Sequence, residues 1–526
     1  MTTFMILSIV FLVIALGFAG YSIYRSIVLV KTPMVEVNYK DFFKKNAYFL
    51  AGGIVSFIAA SFFFILRNEQ ALDFLHVFQL VLGGILFFGC LFIAINVFIV
   101  HYYGRNIPEL LDKWFFRIIL IGFTASLVFF FIYTNGLAPY IDYPIVNGFS
   151  FKHGWVNPLM TDERGDRISP NIAFYALCIL GGAILVYFLC DHYFYKEYGK
   201  HGILESTFFV AFPAGIIGAR IAYVIGEWGT KFDYGHKMTE AFGMKIWAPL
   251  AIWEGGITIL GGAIGGIVVG ALWYMWRNKG KSIWIPFDLV LPTILIAQAV
   301  GRWGNFFNCE VHGYEVSNSN WQWLPEIIWR NASYSSDLGF AAEGNMYVPL
   351  FFIEAVVNLL GFFVLAHVFG KALRKYTELG DVGFGYIVWY GLTRVFMEPL
   401  RHPAFQMGEK GYWSWVWSMV FVGVGTLCIV VNHIVRSILR KKRDTYHVEE
   451  SDKKVGIIAS AVIAVVGIAL IAVGAVLMAN NPFEMRVIYN GFNIGLMVLV
   501  IGISIFLCLG ISIKKLIFAL KKPQNE

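Results

Sequence analysis

Four arginines stand near carboxylates at the ends of long apolar blocks: Arg220 with Glu227 after it, Arg302 with Glu310, Arg394 four residues before Glu398, and Arg401. A further carboxylate, Glu354, lies inside an apolar block, where it must be neutral, paired or facing a cavity. Charge at such positions is expensive in hydrocarbon unless it is paired or open to water. A guanidinium keeps its charge on burial and offers a planar fork to two phosphate oxygens. The four arginines map to one external level, which implies a site for an anionic phospholipid headgroup arriving sideways from the outer leaflet.

The densest stretch runs Gly301-Arg302-Trp303-Gly304-Asn305-Phe306-Phe307-Asn308-Cys309-Glu310-Val311-His312-Gly313. Its glycines suggest a broken helix end whose free backbone N–H groups help hold an anion. Arg302, Asn305 and Glu310 suit a ligand site or a purely structural ion-pair network, and spacing leaves both open. His312, with an ordinary pKa near 6.5, suits a proton acceptor or a surface histidine. A second stretch, Tyr390 to Arg401, puts Arg394 and Glu398 on one helical face before Pro399, which ends or kinks the helix. The Arg-before-Glu order is the weaker one for an exposed pair, so helix stabilisation alone does not account for it. Gly261/Gly265 and Gly262/Gly266 recur at four-residue spacing, which lets helix backbones pack closely, as in a wall around a headgroup. Of the six cysteines only Cys309 lies in a polar motif, and no CxxC pair is present, so neither structural zinc nor a disulfide framework is supported.

The elements that must position these residues are membrane spans. The 526-residue chain is 58% hydrophobic and 14% charged, with mean hydropathy +0.66; a soluble protein carries about 25% charged residues. Apolar blocks near 4–27, 46–66, 77–102, 115–135, 171–190, 204–226, 256–276, 284–304, 347–369, 381–398, 412–435, 457–479 and 487–513 predict thirteen spans. The first lacks a basic n-region and reads as a retained span. Alternate connections carry the Lys and Arg excess, from Arg25 and Lys31 through Arg277 and Lys279 to Arg440-Lys441-Lys442-Arg443 and the tail at Lys521. The positive-inside rule then puts the N-terminus outside and the C-terminus in the cytoplasm, with the arginine level on the extracytoplasmic face. The net charge of +7 sits in short loops beside these blocks, not in a stripe a nucleic-acid groove would need. The expected fold is an all-α polytopic membrane protein of about thirteen transmembrane helices. It divides into a four-helix extension over 1–135, an external linker over 136–170, a seven-helix core over 171–436, a charged cytoplasmic linker over 437–456, and a two-helix extension and tail over 457–526. The insertions at 227–250 and about 306–346 predict a small external head region, with Trp321, Trp323 and Trp329 suited to the headgroup zone. Asn331-Ala332-Ser333 forms a glycosylation pattern there.

At these motifs the chain resembles the prolipoprotein diacylglyceryl transferases. The family signature Gly-Arg-x-Gly-Asn-Phe-x-Asn-x-Glu-x-x-Gly is similar, without a break, to Gly301 through Gly313. The family's Tyr-Gly-x-x-Arg-x-x-x-Glu-x-x-Arg pattern falls on Tyr390, Gly391, Arg394, Glu398 and Arg401, and its first-helix tyrosine on Tyr175. Glu354 fits the family's Tyr-Glu pair, with Ile353 in place of the tyrosine. The upstream glycine-rich element resembles Trp253 to Gly262, with Leu260 where the family has a histidine. The likeness covers about 169–436 and leaves 1–135 and 457–513 as additions suited to docking unidentified membrane partners or facing lipid.

The resemblance implies transfer of the diacylglyceryl group of phosphatidylglycerol to the lipobox cysteine of a prolipoprotein signal peptide, with no metal and no organic cofactor. Catalytic roles would fall to Arg302 and Arg394, with Tyr175, Glu310 and His312 as proton acceptors. Arg220, Asn305, Gly313, Glu354, Tyr390, Glu398 and Arg401 would bind substrate. An anionic-solute transporter would use the same arginines but needs a polar route to the cytoplasm, and the few polar residues in the inner halves of the core spans weigh against it. A non-catalytic lipid-binding scaffold is the other alternative, given Leu260.

Overall fold

The computed structural model describes residues 2–31, 39–67, 74–102, 109–141, 143–145, 174–200, 202–229, 231–241, 244–251, 258–374, 377–406, 412–441, 450–483 and 490–520. The apolar blocks are helices, because in hydrocarbon every backbone N–H and C=O must find a partner within its own segment. The chain falls into two compact units.

One unit comprises Met1–Asn157 with Val316–Tyr334 and Phe340–Met346. It holds α1 (Thr2–Lys31), α2 (Tyr39–Arg67), α3 (Phe74–Tyr102) and α4 (Glu109–Leu137). Gly83 and Gly136 bring α3 and α4 into backbone contact, since a Cβ on either would lie 2.4 Å from Tyr133 N or 2.5 Å from Leu80 N. Ser22 and Ser26 of α1 both hydrogen-bond the buried Asn96 of α3, polar glue of the kind that joins helices in lipid.

The other unit carries the remaining long helices. These are α5 (Phe174–Tyr198), α6 (Glu205–Gly226), α7 (Ile259–Arg277), α8 (Trp284–Asn308), α10 (Leu350–Phe362), α11 (Asp381–Met397), α12 (Tyr412–Lys441), α13 (Glu450–Asn480) and α14 (Gly491–Leu520). The short α9 (Glu326–Asn331) lies in the first unit. After Phe362, α10 continues as a π-helix through Ala372. Small strands β1 (Met238–Ala241) and β2 (Met244–Trp247) pair antiparallel between α6 and α7.

Packing in this unit follows the glycines. A Cβ on Gly218 would fall 2.6 Å from Gly261 O, and one on Gly265 2.7 Å from Ala214 O, so α6 and α7 touch along their backbones as the four-residue spacing predicts. Thr258 starts α7 by accepting the Gly261 N–H at 3.3 Å. Leu291, Leu295, Phe362, Leu365, Val382 and Tyr386 form the interior of α8, α10 and α11. Val395, Tyr412, Trp415 and Met419 form another cluster, against which Leu496, Met497 and Val500 of α14 pack.

Among the described residues ten helices are long and apolar enough to cross a membrane, which makes the chain an all-α polytopic membrane protein. The other three expected spans are helical as well. They correspond to α4, whose described apolar part is Thr124–Leu137, and to α7 and α11, of 19 and 17 residues.

Candidate functional site

Three helices deliver one ion cluster. Glu354 sits in the first turns of α10, buried at 2% exposure. From the C-terminal part of α8, Arg302 Nε pairs with Glu354 Oε2. Arg401, in the turn after α11, places Nη2 3.3 Å from Oε1, and Arg394 Nη1 lies 3.8 Å from the same oxygen. Arg394 also reaches Glu398 Oε2 at 2.5 Å, one helical turn on. Three guanidiniums thus meet two buried carboxylates.

The cluster has a front and a back. Glu354 and Glu398 are 2% and 0% exposed, while the Arg302 and Arg394 side chains keep 14% and 12%. The solvent-reaching groups are therefore the cations. Burial first, and the neighbouring Arg394 charge second, push Arg401 down to about 10, which leaves it charged at neutral pH.

Two amides and a third carboxylate extend the cluster along the signature stretch. Arg302 Nη1 donates to Asn305 Oδ1 at 3.3 Å, and the amides of Asn305 and Asn308 donate to Glu310 Oε1 at 3.0 and 3.2 Å. Tyr175 lies against Gly304, where a Cβ would stand 2.3 Å from its ring, and Arg302 and Glu310 are both close enough to act on its hydroxyl. Tyr390 stands one turn before Arg394 and packs against Tyr386 and Phe421.

The loop that closes α8 is tightly held. Cys309 and Val311 take left-handed backbone angles, φ 50° and 60°, costly for a β-branched residue and a recurrent feature of functional loops. Gly313 is required by close approach: a Cβ there would lie 2.7 Å from Leu400 O. Its N–H donates to Val348 O at 2.9 Å, it bridges to Arg401, and the His402 N–H donates to His312 O at 3.1 Å. The loop and the Arg401 turn are therefore one assembly.

Two expected site residues are placed elsewhere. Arg220 donates from Nε to Pro249 O at 2.9 Å and from Nη2 to Ala248 O at 2.8 Å, and lies over Tyr223 and Phe232. Its described partners pin the 227–250 insertion to α6, and it is not among the arginines acting on Glu354. His312 is buried at 1% exposure against Tyr347 and Phe405. Burial pulls its pKa down to about 4, against a smaller upward effect of the Cys309 backbone. Residues 252–257 and the side chains of Ile259 and Leu260 lie outside the described residues. Sequence reasoning did not single out Asn308, although its place in the signature, two residues before Glu310, carried the signal.

Fold and site together define a polytopic membrane protein with a buried guanidinium–carboxylate centre where three helices converge. Residues 167–431 match the model of the prolipoprotein diacylglyceryl transferases. Two similar proteins, both named phosphatidylglycerol–prolipoprotein diacylglyceryl transferase, come from Streptococcus pneumoniae. That of strain ATCC 700669 / Spain 23F-1 is 33% identical over 302 residues, and that of strain Taiwan19F-14 is 34% identical over 301. Each comparison spans 56% of this chain and 100% of the relative. The chain belongs to the prolipoprotein diacylglyceryl transferase family. The helices before residue 167 and those after 431 lie outside the matched stretch.

Proposed function

We propose that this protein transfers the diacylglyceryl group of phosphatidylglycerol to the lipobox cysteine of prolipoprotein signal peptides. The observation that carries this reading is the convergence of Arg302, Arg394 and Arg401 on one buried carboxylate, with the cations on the solvent-reaching side. Core residues 171–436 do the chemistry. The Lys and Arg distribution supports an extracytoplasmic site, an outside N-terminus and a cytoplasmic C-terminus.

The thiol sulfur attacks the glycerol carbon that bears the phosphate. An S–C bond forms, the C–O bond breaks, and its electron pair leaves on the phosphate oxygen as glycerol phosphate. Negative charge grows on that leaving group, where Arg302 and Arg394 stabilise it; fixed charge counts for more in a partly dry site than in water. Arg401, Asn305, Tyr390 and the Gly313 turn orient the headgroup, and Glu354 and Glu398 hold the arginines in place. The thiol, with a pKa near 8.5, gives up its proton as it attacks. Glu310 takes that proton and returns it to the departing phosphate or to water. Tyr175, near both Arg302 and Glu310, hydrogen-bonds the headgroup more readily than it accepts a proton.

The test uses the full chain in phosphatidylglycerol liposomes with a synthetic lipobox peptide. Expected is a peptide heavier by one diacylglyceryl group, joined through a thioether, with glycerol phosphate released in equal amount. Solute uptake without that product supports a transporter, and lipid binding without turnover supports a scaffold; either overturns the reading.

A further inference from the structure

Three helix faces run inward from the ion cluster, and each passes through a polar layer before it turns apolar. On α10 the face carries Glu354, Asn358 and Phe362, each one turn from the next. On α8 it carries Arg302, Gln298 and Leu295, and on α11 Arg394, Tyr390 and Tyr386. The outer members meet in the guanidinium–carboxylate cluster. The inner members meet as well, since Phe362, Leu295 and Tyr386 belong to one apolar core. Asn358, between Glu354 and Phe362, is therefore held towards α8 and α11, about 6 Å inward of the ion layer at the rise of an α-helix.

Asn358 is the unusual member of this middle layer. It is 6% exposed, and among the described residues it makes no hydrogen bond and no ion pair. Its amide is nonetheless not sealed in by its neighbours. A primary amide inside a membrane span is costly unless it is paired, and polar residues so placed mark substrate pathways. Gln298 and Tyr386 lie at the same level. Gln298 Nε2 donates to the Tyr386 hydroxyl at 3.1 Å, and Tyr386 stacks on Tyr390 at 6.4 Å between ring centroids. That bond uses one amide hydrogen of Gln298 and leaves the other, with the Tyr386 hydroxyl hydrogen, to be donated elsewhere. Neutral donors thus lie directly beneath the fixed cations.

The chemistry of this layer selects its occupant. Neutral donors one turn below a cationic cluster suit neutral acceptors that are covalently tied to an anion. In a diacylglycerophospholipid the ester carbonyls hang from the same glycerol as the phosphate and lie on its hydrocarbon side. We infer that Asn358, Gln298 and Tyr386 form a subsite for the acyl ester carbonyls of the lipid whose phosphate meets Arg302 and Arg394. The identity of that lipid rests on the transferase reading. The subsite holds the diacylglyceryl group while glycerol phosphate departs, so the transferred part keeps its place as the C–O bond breaks.

The experiment compares phosphatidylglycerol bearing acyl esters with its dialkyl ether analogue, which keeps the phosphate and the chain lengths but has no carbonyls. With the full chain in detergent, displacement of a fluorescent phosphatidylglycerol gives the affinity for each lipid, and a lipobox peptide gives kcat/KM. The unmodified protein is expected to favour the diester about threefold to tenfold in both, the scale of a buried hydrogen bond. Asn358→Leu, close in size and without a donor, should weaken the diester alone and bring the two lipids together. Gln298→Met should act in the same direction. The thermal midpoint of Asn358→Leu is expected to hold or rise, because an unpaired amide gives way to an apolar side chain. No diester preference in the unmodified protein, or a preference that survives both substitutions, overturns the subsite. Equal losses for the two lipids give these residues a packing role and overturn it too. Absence of thioether product from the unmodified chain would overturn the transferase reading, while the ratio of affinities still decides the subsite.

Discussion

Helices α8, α11 and α12 carry a polar cluster at each end, and the two are built differently. At the start of α8 and α11, Asp288 accepts the Gly380 and Gly383 N–H groups at 2.8 and 3.0 Å. Asp381 accepts the Glu378 N–H at 2.6 Å and the Asn432 amide at 2.8 Å, and stands 2.5 Å from His433 Nε2. These carboxylates satisfy backbone donors that any helix leaves open at its first turn. The half-exposed Arg374 adds a guanidinium 3.8 Å from Asp288 at the rim. About 20 Å further along α8, at a rise of ~1.5 Å per residue, Glu354 and Glu398 are instead buried against three guanidiniums. Among the described residues their partners are guanidiniums, not backbone donors. A buried ion cluster is weak support for stability, since apolar packing of similar volume often does as well. The first cluster builds helix ends. The second has a form that helix building does not require, with its cations on the solvent-reaching side.

Substituting the central anion should break the second cluster most severely. Glu354→Gln leaves Arg302, Arg394 and Arg401 crowded without their shared counter-charge, and about 3–5 kcal/mol of stability is expected to go. Asp381→Asn, at the other cluster, should cost about 1–2 kcal/mol, because a neutral acceptor still serves the N–H groups. Thermal unfolding of the two variants in one detergent checks the ratio. Equal losses would erase the distinction.

Next in size is catalysis. Arg302→Ala or Arg394→Ala should lower kcat about 100- to 1000-fold, as removal of a preorganised charge stabiliser does elsewhere, in protein that remains inserted. Asp288→Asn should keep kcat within about twofold, the scale of a residue whose work is confined to helix ends. Labelled phosphatidylglycerol and a lipobox peptide give both numbers. A large loss from Asp288→Asn would mean that both ends serve the reaction.

The second cluster was largely legible in the sequence because charge inside an apolar block has few explanations. Arg302, Arg394, Arg401 and Glu354 each announced themselves that way. Their convergence was not legible, since it depends on how α8, α10 and α11 pack. Arg220 carried the same local signal but is held by carbonyls 28 and 29 residues away, in a turn that no periodicity marks. Glycine spacing revealed the α6–α7 contact because the steric requirement is local to each helix. Asn331 misled in the opposite direction: its sequon suggests an exposed loop, whereas hydrogen bonding to Ile145 takes its side chain inside.

The smallest effect separates two histidines. His433 stands beside the Asp381 carboxylate, whereas His312 lies among the rings of Tyr347 and Phe405. Burial holds His312 down to about 4 in the folded chain, against 6.5 when unfolded. Between those values the unfolded state binds a proton that the folded state refuses, so stability falls as the pH drops from about 6.5 towards 4. At pH 6 the penalty is about 1 kcal/mol, and at pH 7.5 it is nearly absent. His312→Phe removes the titrating group and keeps an apolar ring against Tyr347. Its thermal midpoint should therefore decline less than that of the unmodified chain between pH 7.5 and pH 5, while the pH dependence of kcat near neutrality stays the same. Parallel declines in the two proteins would mean that His312 reaches water and titrates normally. A changed kcat profile would return His312 to the list of proton acceptors and weaken the assignment to Glu310.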